Sequence, residues 1–247
     1  MYFCNLFWIN MVILAIDTST SACSVALCDG AKVVASDKVS PCPNHASALP
    51  VMVEKILSLP QAQSIEAVVL SEGPGSYTGL RISAALAKGL CYGRNWPLLP
   101  VSTLEVLCMA AKEACPTIEE DAILCPMIDA RRMEVYTALY AAKDLHKIED
   151  VQALVVEDNR FIRPYADKEV YFFGNGAAKC ASLWESKNSH FIDTIEPDAK
   201  VLGALVENRL STFEIERNGL SANQLAYYEP FYLKPYIAAP SHIKGLQ

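Results

Sequence analysis

A chain of 247 residues that is 52% apolar and only 20% charged has material for one large core or two modest ones, which excludes a disordered protein. Its 28 acidic residues outnumber 21 basic ones, and a net charge of -7 argues against unaided nucleic-acid binding, which needs Lys and Arg to displace condensed counterions. Nine cysteines without a C-x-x-C pair and four scattered histidines give no zinc framework, so the cysteines read as small core residues of a reducing compartment.

Residues 1–10 are apolar but lack the cationic lead of a signal peptide, and Asp17 ends the apolar run too early for a membrane span. They are expected to be a dispensable extension. Residues 12–16 read as a buried strand ending at Asp17-Thr18-Ser19-Thr20. Residues 22–28 alternate as a second strand, Asp29-Gly30 makes a hairpin turn, and residues 32–39 return. Pro41-Cys42-Pro43 is a stiff connector. Asn44 then caps a helix over 45–59, whose apolar positions Leu49, Met52, Val53, Ile56 and Leu57 keep helical spacing. Pro50 lacks an N–H and predicts a kink near the start of that helix.

An apolar strand over 67–70 runs into Ser71-Glu72-Gly73-Pro74-Gly75-Ser76-Tyr77-Thr78-Gly79-Leu80-Arg81, followed by a small-residue helix over 82–92. A strand, a glycine turn and a helix N-terminus offer free N–H groups and a positive dipole end, the usual equipment for holding an anion. The loop nevertheless lacks the Gly-Lys-Ser/Thr ending of a P-loop and the G-x-G-x-x-G spacing. Gly73, Gly75 and Gly79 with Pro74 are therefore expected to make a rigid turn and a close helix packing. Ser102-Thr103 caps a third helix carrying Leu104, Val106, Leu107 and Ala110, with Pro116 just past its end.

In the second half, strands are expected over 122–128, 134–140, 150–156 and 169–173. The first ends at Asp129-Ala130-Arg131-Arg132 and the last at Gly174-Asn175-Gly176. Residues 199–208 read as a helix, and the aromatic, proline-rich tail 227–235 as extended over the surface. A hairpin of strands followed by helix, strand and helix occurs once clearly and once degraded. The expected fold is thus a two-lobed α/β architecture of the actin, hexokinase and Hsp70 type, with mixed sheets flanked by helices. The lobes divide at 11–101 and 102–247, in contact and without a flexible linker.

Ile13-Leu14-Ala15-Ile16-Asp17-Thr18-Ser19, His45 heading a helix, Gly73 through Ile82, and Asp129-Ala130-Arg131 together resemble the TsaB (YeaZ) family. The likeness runs from Met11 to about Arg132 and touches Gly174-Asn175-Gly176 and Tyr232-Leu233. The resemblance implies a cytoplasmic, non-membrane paralogue of TsaD, the transferase that puts threonylcarbamoyl on the adenosine beside the tRNA anticodon. It implies binding to TsaD, with TsaE and tRNA met through the complex, a homodimer in isolation, and no transferase chemistry. No cofactor is expected on this chain alone; ATP would belong to the complex interface. The family's relatives also carry a glycoprotease-like label.

Asp17, Thr18 and Ser19 stand where active relatives of such a fold hold the metal–phosphate of ATP. That role wants a glycine after the Asp, and Ser19 and Thr20 stand there instead. A vestigial nucleotide site and an Asp capping a tight turn both fit. A metal site would want a second histidine four residues after His45, where Leu49 stands, so no metal is expected. No G-x-S-x-G elbow or H-E-x-x-H supports a peptidase, although a triad can assemble from distant residues. Gly79, Ser83 and Ala87 recur every four residues. They read either as packing within the lobe or, with His45, Leu49, Met52, Val53, Ile56 and Arg81, as a partner-binding face. Asp129, Arg131 and Arg132 fit a catalytic pair or, more simply, turn capping and a surface ion pair. The expected function is a non-catalytic TsaD-binding subunit. A second reading is an ATP-dependent small kinase or acyltransferase using Asp17, and a third is a peptidase.

Overall fold

Two five-stranded mixed sheets carry the architecture, seen in a computed structural model that describes residues 11–211, 219–220 and 222–234. The expected extension at 1–10 and the tail from Pro235 lie outside the described residues. In the first sheet, β1 (Val12–Asp17), β2 (Cys23–Asp29) and β3 (Lys32–Val39) form an antiparallel meander. The parallel strands β4 (Ala67–Gly73) and β5 (Leu98–Ser102) complete the order β3-β2-β1-β4-β5. Helices α1 (His45–Leu57) and α2 (Tyr77–Arg94) cover one face. Asn44 caps α1 as expected, its side chain accepting from the Ser47 N–H.

After α3 (Thr103–Ala114), the pattern repeats. Strands β6 (Ile123–Asp129), β7 (Glu134–Ala141) and β8 (Lys147–Val155) form a second meander, flanked by parallel β9 (Val170–Phe173) and β10 (Ser189–Ile192). The order β10-β9-β6-β7-β8 is the first sheet's order read from the other edge. The degradation lies in the helices. A three-residue 3-10 turn at Arg163–Tyr165 stands in place of α1, and the four-residue α4 (Ala181–Trp184) in place of α2. Helix α5 (Leu202–Ser211) then follows β10 as α3 follows β5. This is the actin-like two-lobed fold.

Why the strands read as unbroken apolar runs follows from where they sit. Ile13 and Ala15 of β1 enter a core shared with α3, α5 and the second sheet, through Leu104, Leu107, Leu124, Ala138 and Leu202. Leu14 and Ile16 enter the other core, under α1 and α2. A strand buried on both faces cannot alternate with polar residues. Between the sheets, Glu105 of α3 pairs with Arg209 of α5 at 2.6 Å.

Several expectations need correction. Helix α1 stops at Leu57, two residues short of the expected end, and α2 begins at Tyr77. Ser102 takes the N-cap position of α3 without a side-chain bond to the helix; Thr103 Oγ1 instead accepts from the Gly73 N–H at 3.1 Å. Strand β10 escaped notice because all four of its residues are half-buried and none alternates. The tail is not simply draped on the surface. Leu220 N–H donates to the Leu98 carbonyl at 3.0 Å, and the short α6 (Ala222–Tyr227) places Leu225 in the first lobe's outer core. Lys88 Nζ on α2 donates to the Ala226 carbonyl at 2.8 Å and the Tyr228 carbonyl at 3.1 Å. Residues 219–220 and 222–231, counted above with the second lobe, therefore pack on the first.

Candidate functional site

A crevice of about 770 Å³ opens where the strand ends of both sheets meet. Its walls are Ser19–Ser21 after β1, Gly75–Thr78 at the head of α2, Asp129–Arg131 after β6, Asn175 after β9, and Phe231–Lys234 of the tail. This is where two-lobed folds place ligands, at the carboxyl ends of the strands.

Asp17 is not part of the lining. Its side chain is 0% exposed and accepts from the Ser19 N–H at 3.1 Å and the Ser19 hydroxyl at 3.0 Å, the bonds of an Asx turn. Burial raises its pKa, opposed by the Ser19 hydrogen bonds. The Thr18 hydroxyl donates to the Gly79 carbonyl at 2.8 Å. A Cβ at Gly79 would run into the Thr18 carbonyl oxygen, and one at Gly75 into that of Ser19. The glycine loop therefore lies directly on the β1–β2 turn. The N–H groups it was expected to leave free are partly taken: Ser76 N–H donates to the Ser19 carbonyl at 2.7 Å, and Gly79 N–H to the Ser76 hydroxyl at 3.3 Å. Those two groups are spent within the protein, while Gly75–Thr78 still line the crevice. Gly73 has φ +122, and a Cβ there would come within 2.5 Å of the Phe231 carbonyl oxygen.

Around the mouth, His45 Nε2 donates to the Ala22 carbonyl at 3.1 Å, which fixes the ring at the head of α1. One turn on, Leu49 is fully buried. Among the described residues no group of three or more His, Cys, Asp or Glu side chains is placed to hold a metal. Asp129 accepts from the Arg131 N–H at 2.6 Å, the expected turn cap, but its ion-pair partner is Lys179 at 2.5 Å rather than either arginine. Burial works to raise the Asp129 pKa, and the Lys179 and Arg131 N–H bonds outweigh it and hold it below the usual carboxylate range. The tail closes one side. Tyr232 packs on Tyr77 with ring centroids 4.8 Å apart, and Lys234 pairs with Glu134 of the second sheet. Phe231, Lys234 and Tyr136 were missed as crevice residues. The aromatic run of the tail was the available signal.

The expected partner face is inverted. Leu49, Met52, Val53, Ile56, Gly79, Ser83 and Ala87 are all buried, packed against the first sheet and one another. Ser83 even turns its hydroxyl back to the Leu80 carbonyl at 3.1 Å. Of the residues named for that face, only Arg81 is exposed and His45 half-buried. The outward faces of α1 and α2 present Val51, Ala85, Gly89 and Tyr92, flanked by half-buried Ile82, Leu86 and Leu90. Tyr92 is 86% exposed, and a Cβ at Gly89 or Gly93 would meet nothing within 4 Å. The four-residue spacing of Ala85, Gly89 and Gly93 was a second small-residue stripe, one helical face away from the stripe that was singled out.

A family model for TsaD, described as tRNA N6-adenosine threonylcarbamoyltransferase, matches residues 42–234. The tRNA threonylcarbamoyladenosine biosynthesis protein TsaB of Bacillus subtilis is 34% identical over 169 residues, covering 67% of this chain and 71% of that protein. Its Haemophilus influenzae namesake is 27% identical over 235 residues, covering 91% of this chain and 94% of that protein. Among solved structures, YeaZ from Pseudomonas aeruginosa superposes with a TM-score of 0.74 at 27% identity, covering 90% of this chain and all 100% of that one.

Proposed function

The chain belongs to the TsaB family, and from that premise we propose that it serves tRNA threonylcarbamoyladenosine biosynthesis as a non-catalytic subunit of TsaD. The observation that carries the non-catalytic part is the enclosure of Asp17 behind the β1–β2 turn. Asp17 is enclosed and bonded to Ser19, and the Thr18 and Ser19 carbonyls fill the space against Gly79 and Gly75. Metal–phosphate chemistry at that turn needs a carboxylate and backbone N–H groups open to the crevice. On this reading the isolated protein hydrolyses neither ATP nor peptides; robust turnover lost in Asp17→Ala would overturn it in favour of the ATP-dependent enzyme.

The partner face is the outward side of α1 and α2. The TsaD family model spans both helices, so TsaD carries their counterparts, and two such helix pairs meeting face to face build a four-helix contact. Ala85, Gly89 and Gly93 let the partner backbone approach closely, while Ile82, Leu86 and Val51 supply apolar area. Self-pairing through the same face gives the homodimer. TsaE, tRNA and ATP are met in the complex, in the cytoplasm; among the described residues no helix is long and apolar enough to cross a membrane. The test is size-exclusion of Ala85→Glu and Gly89→Glu with TsaD, alongside threonylcarbamoyladenosine levels in cells. Both positions are exposed, so folded monomers that no longer bind are expected. Undiminished complex and normal tRNA modification would remove this face from consideration.

A further inference from the structure

Phe231 walls both the crevice and a second cavity, of about 350 Å³, at the ends of β4 and β5. Ser71 of β4 pairs with Val101 of β5 and Gly73 with Ser102, so Glu72 is the extra residue of a bulge. A bulge re-aims the side chain it frees, and Glu72 lines this cavity. Its carboxyl has no hydrogen-bond or ion-pair partner among the described residues. Burial raises its pKa, and the nearby Glu105 adds to the rise. In the same wall, Glu105 of α3 and Arg209 of α5 neutralise each other at 2.6 Å. Lys147 of β8 reaches Asp150 at 2.9 Å, but that carboxylate is 90% exposed, and an exposed pair holds a lysine weakly. Ser102 stands at the N-cap of α3 without bonding the helix, and its buried hydroxyl has no partner among the described residues.

We propose that this cavity binds a small aliphatic α-amino acid as its zwitterion, with the ammonium on Glu72 and the carboxylate on Lys147. The charges left unspent in the wall are one anion and one cation. A zwitterion answers both, whereas a diamine would meet Lys147 and a dicarboxylate would meet Glu72 with like charge. A half-buried carboxylate without a counter-charge is costly, and an ammonium donating to it removes that cost. The Ser102 hydroxyl can donate or accept, so it serves either end of the ligand. Pro100, Val101 and Val151 give the apolar wall that an alkyl side chain needs. The volume is near the lower limit for ligand cavities, which favours a small molecule.

The test is calorimetric titration of the full chain at neutral pH with three probes that differ by one charged group. L-leucine carries both charges, 4-methylpentanoate lacks the ammonium, and 3-methylbutylamine lacks the carboxylate. Leucine is expected to bind at one site, and each analogue roughly tenfold or more weakly, the worth of one charge-assisted hydrogen bond. Glu72→Gln should weaken leucine by a similar factor and leave 4-methylpentanoate as it was. Lys147→Met should weaken leucine and leave 3-methylbutylamine as it was. The first variant keeps the shape of the side chain and the second alters a side chain 45% exposed, so both should fold, as circular dichroism would check. No binding of leucine to the native chain would overturn the proposal. So would analogues that bind as tightly as leucine, or either folded variant binding leucine like the native chain.

Discussion

Two glycines of the same helix should respond oppositely to the same substitution. Gly79→Ala and Gly89→Ala both add one methyl to α2, and both gain about 1 kcal/mol of intrinsic helix propensity. At Gly89 nothing lies within 4 Å of the new carbon, so the propensity gain should appear almost whole, as about 1 kcal/mol of added stability. At Gly79 the methyl runs into the Thr18 carbonyl oxygen, and α2 has to move off the β1–β2 turn. Overpacking of that kind costs roughly 1–3 kcal/mol. The shift also strains the Thr18-to-Gly79 and Ser76-to-Ser19 bonds, at 2.8 and 2.7 Å, each worth about 1 kcal/mol. After subtracting the helix gain, Gly79→Ala should lose roughly 2–4 kcal/mol. Urea unfolding followed by circular dichroism measures both, and in a chain of this size 1 kcal/mol moves Tm by about 2–4 °C. Equal stability of the two variants would refute the view that the glycine loop exists to seat α2 on the turn. Gly89→Ala carries a second reading: a variant more stable as a monomer but weaker in TsaD binding would point to close backbone approach at the partner face.

Asp17 is raised above 3.8 by burial, so its contribution to stability is full below that pH and is lost as pH rises through the folded-state value. Asp17→Asn, which does not ionise, should therefore gain on the native chain as pH rises above the ordinary carboxylate range in urea melts; a gap constant with pH would mean the carboxyl titrates as an ordinary one. Breaking the Glu105–Arg209 pair between the sheets with Glu105→Gln should destabilise by roughly 2–4 kcal/mol, somewhat under the usual figure for a buried pair because both groups keep some solvent contact. A double-mutant cycle with Arg209→Met checks it, and additive single effects would show that the two side chains do not depend on each other.

Much of this fold is written in local patterns that a single chain displays. The β2–β3 hairpin, the Asn44 cap and the doubled strand order all rest on short-range periodicity and turn chemistry. What escaped depended on contacts distant in sequence. Nothing near Leu49, Met52 or Ser83 says which way they point, because an amphipathic helix declares an apolar face but not whether a sheet or a partner covers it. The stripe at Gly79, Ser83 and Ala87 was visible, and so was its neighbour at Ala85, Gly89 and Gly93; only the sheet's position separates inside from outside. The role of Gly75 and Gly79 was half legible. A close approach was evident, but its occupant, the Thr18 and Ser19 carbonyls rather than a ligand, was a matter of tertiary geometry. The second lobe blurred because its helices have shrunk to short turns, which leave no periodicity to read.

The return of residues 219–220 and 222–231 to the first lobe has a bearing on how the chain is made. The first sheet, α1 and α2 leave the ribosome early, yet Leu98 waits for Leu220, Glu72 for Phe231, and the outer core for Leu225. Everything from Ser102 to Leu220 must be synthesised in between. The half of the molecule that is translated first is thus the half finished last, and a nascent or truncated chain ending before Leu220 would expose the α2 flank that α6 covers. A chaperone, or the partner itself, would find its opening in that interval.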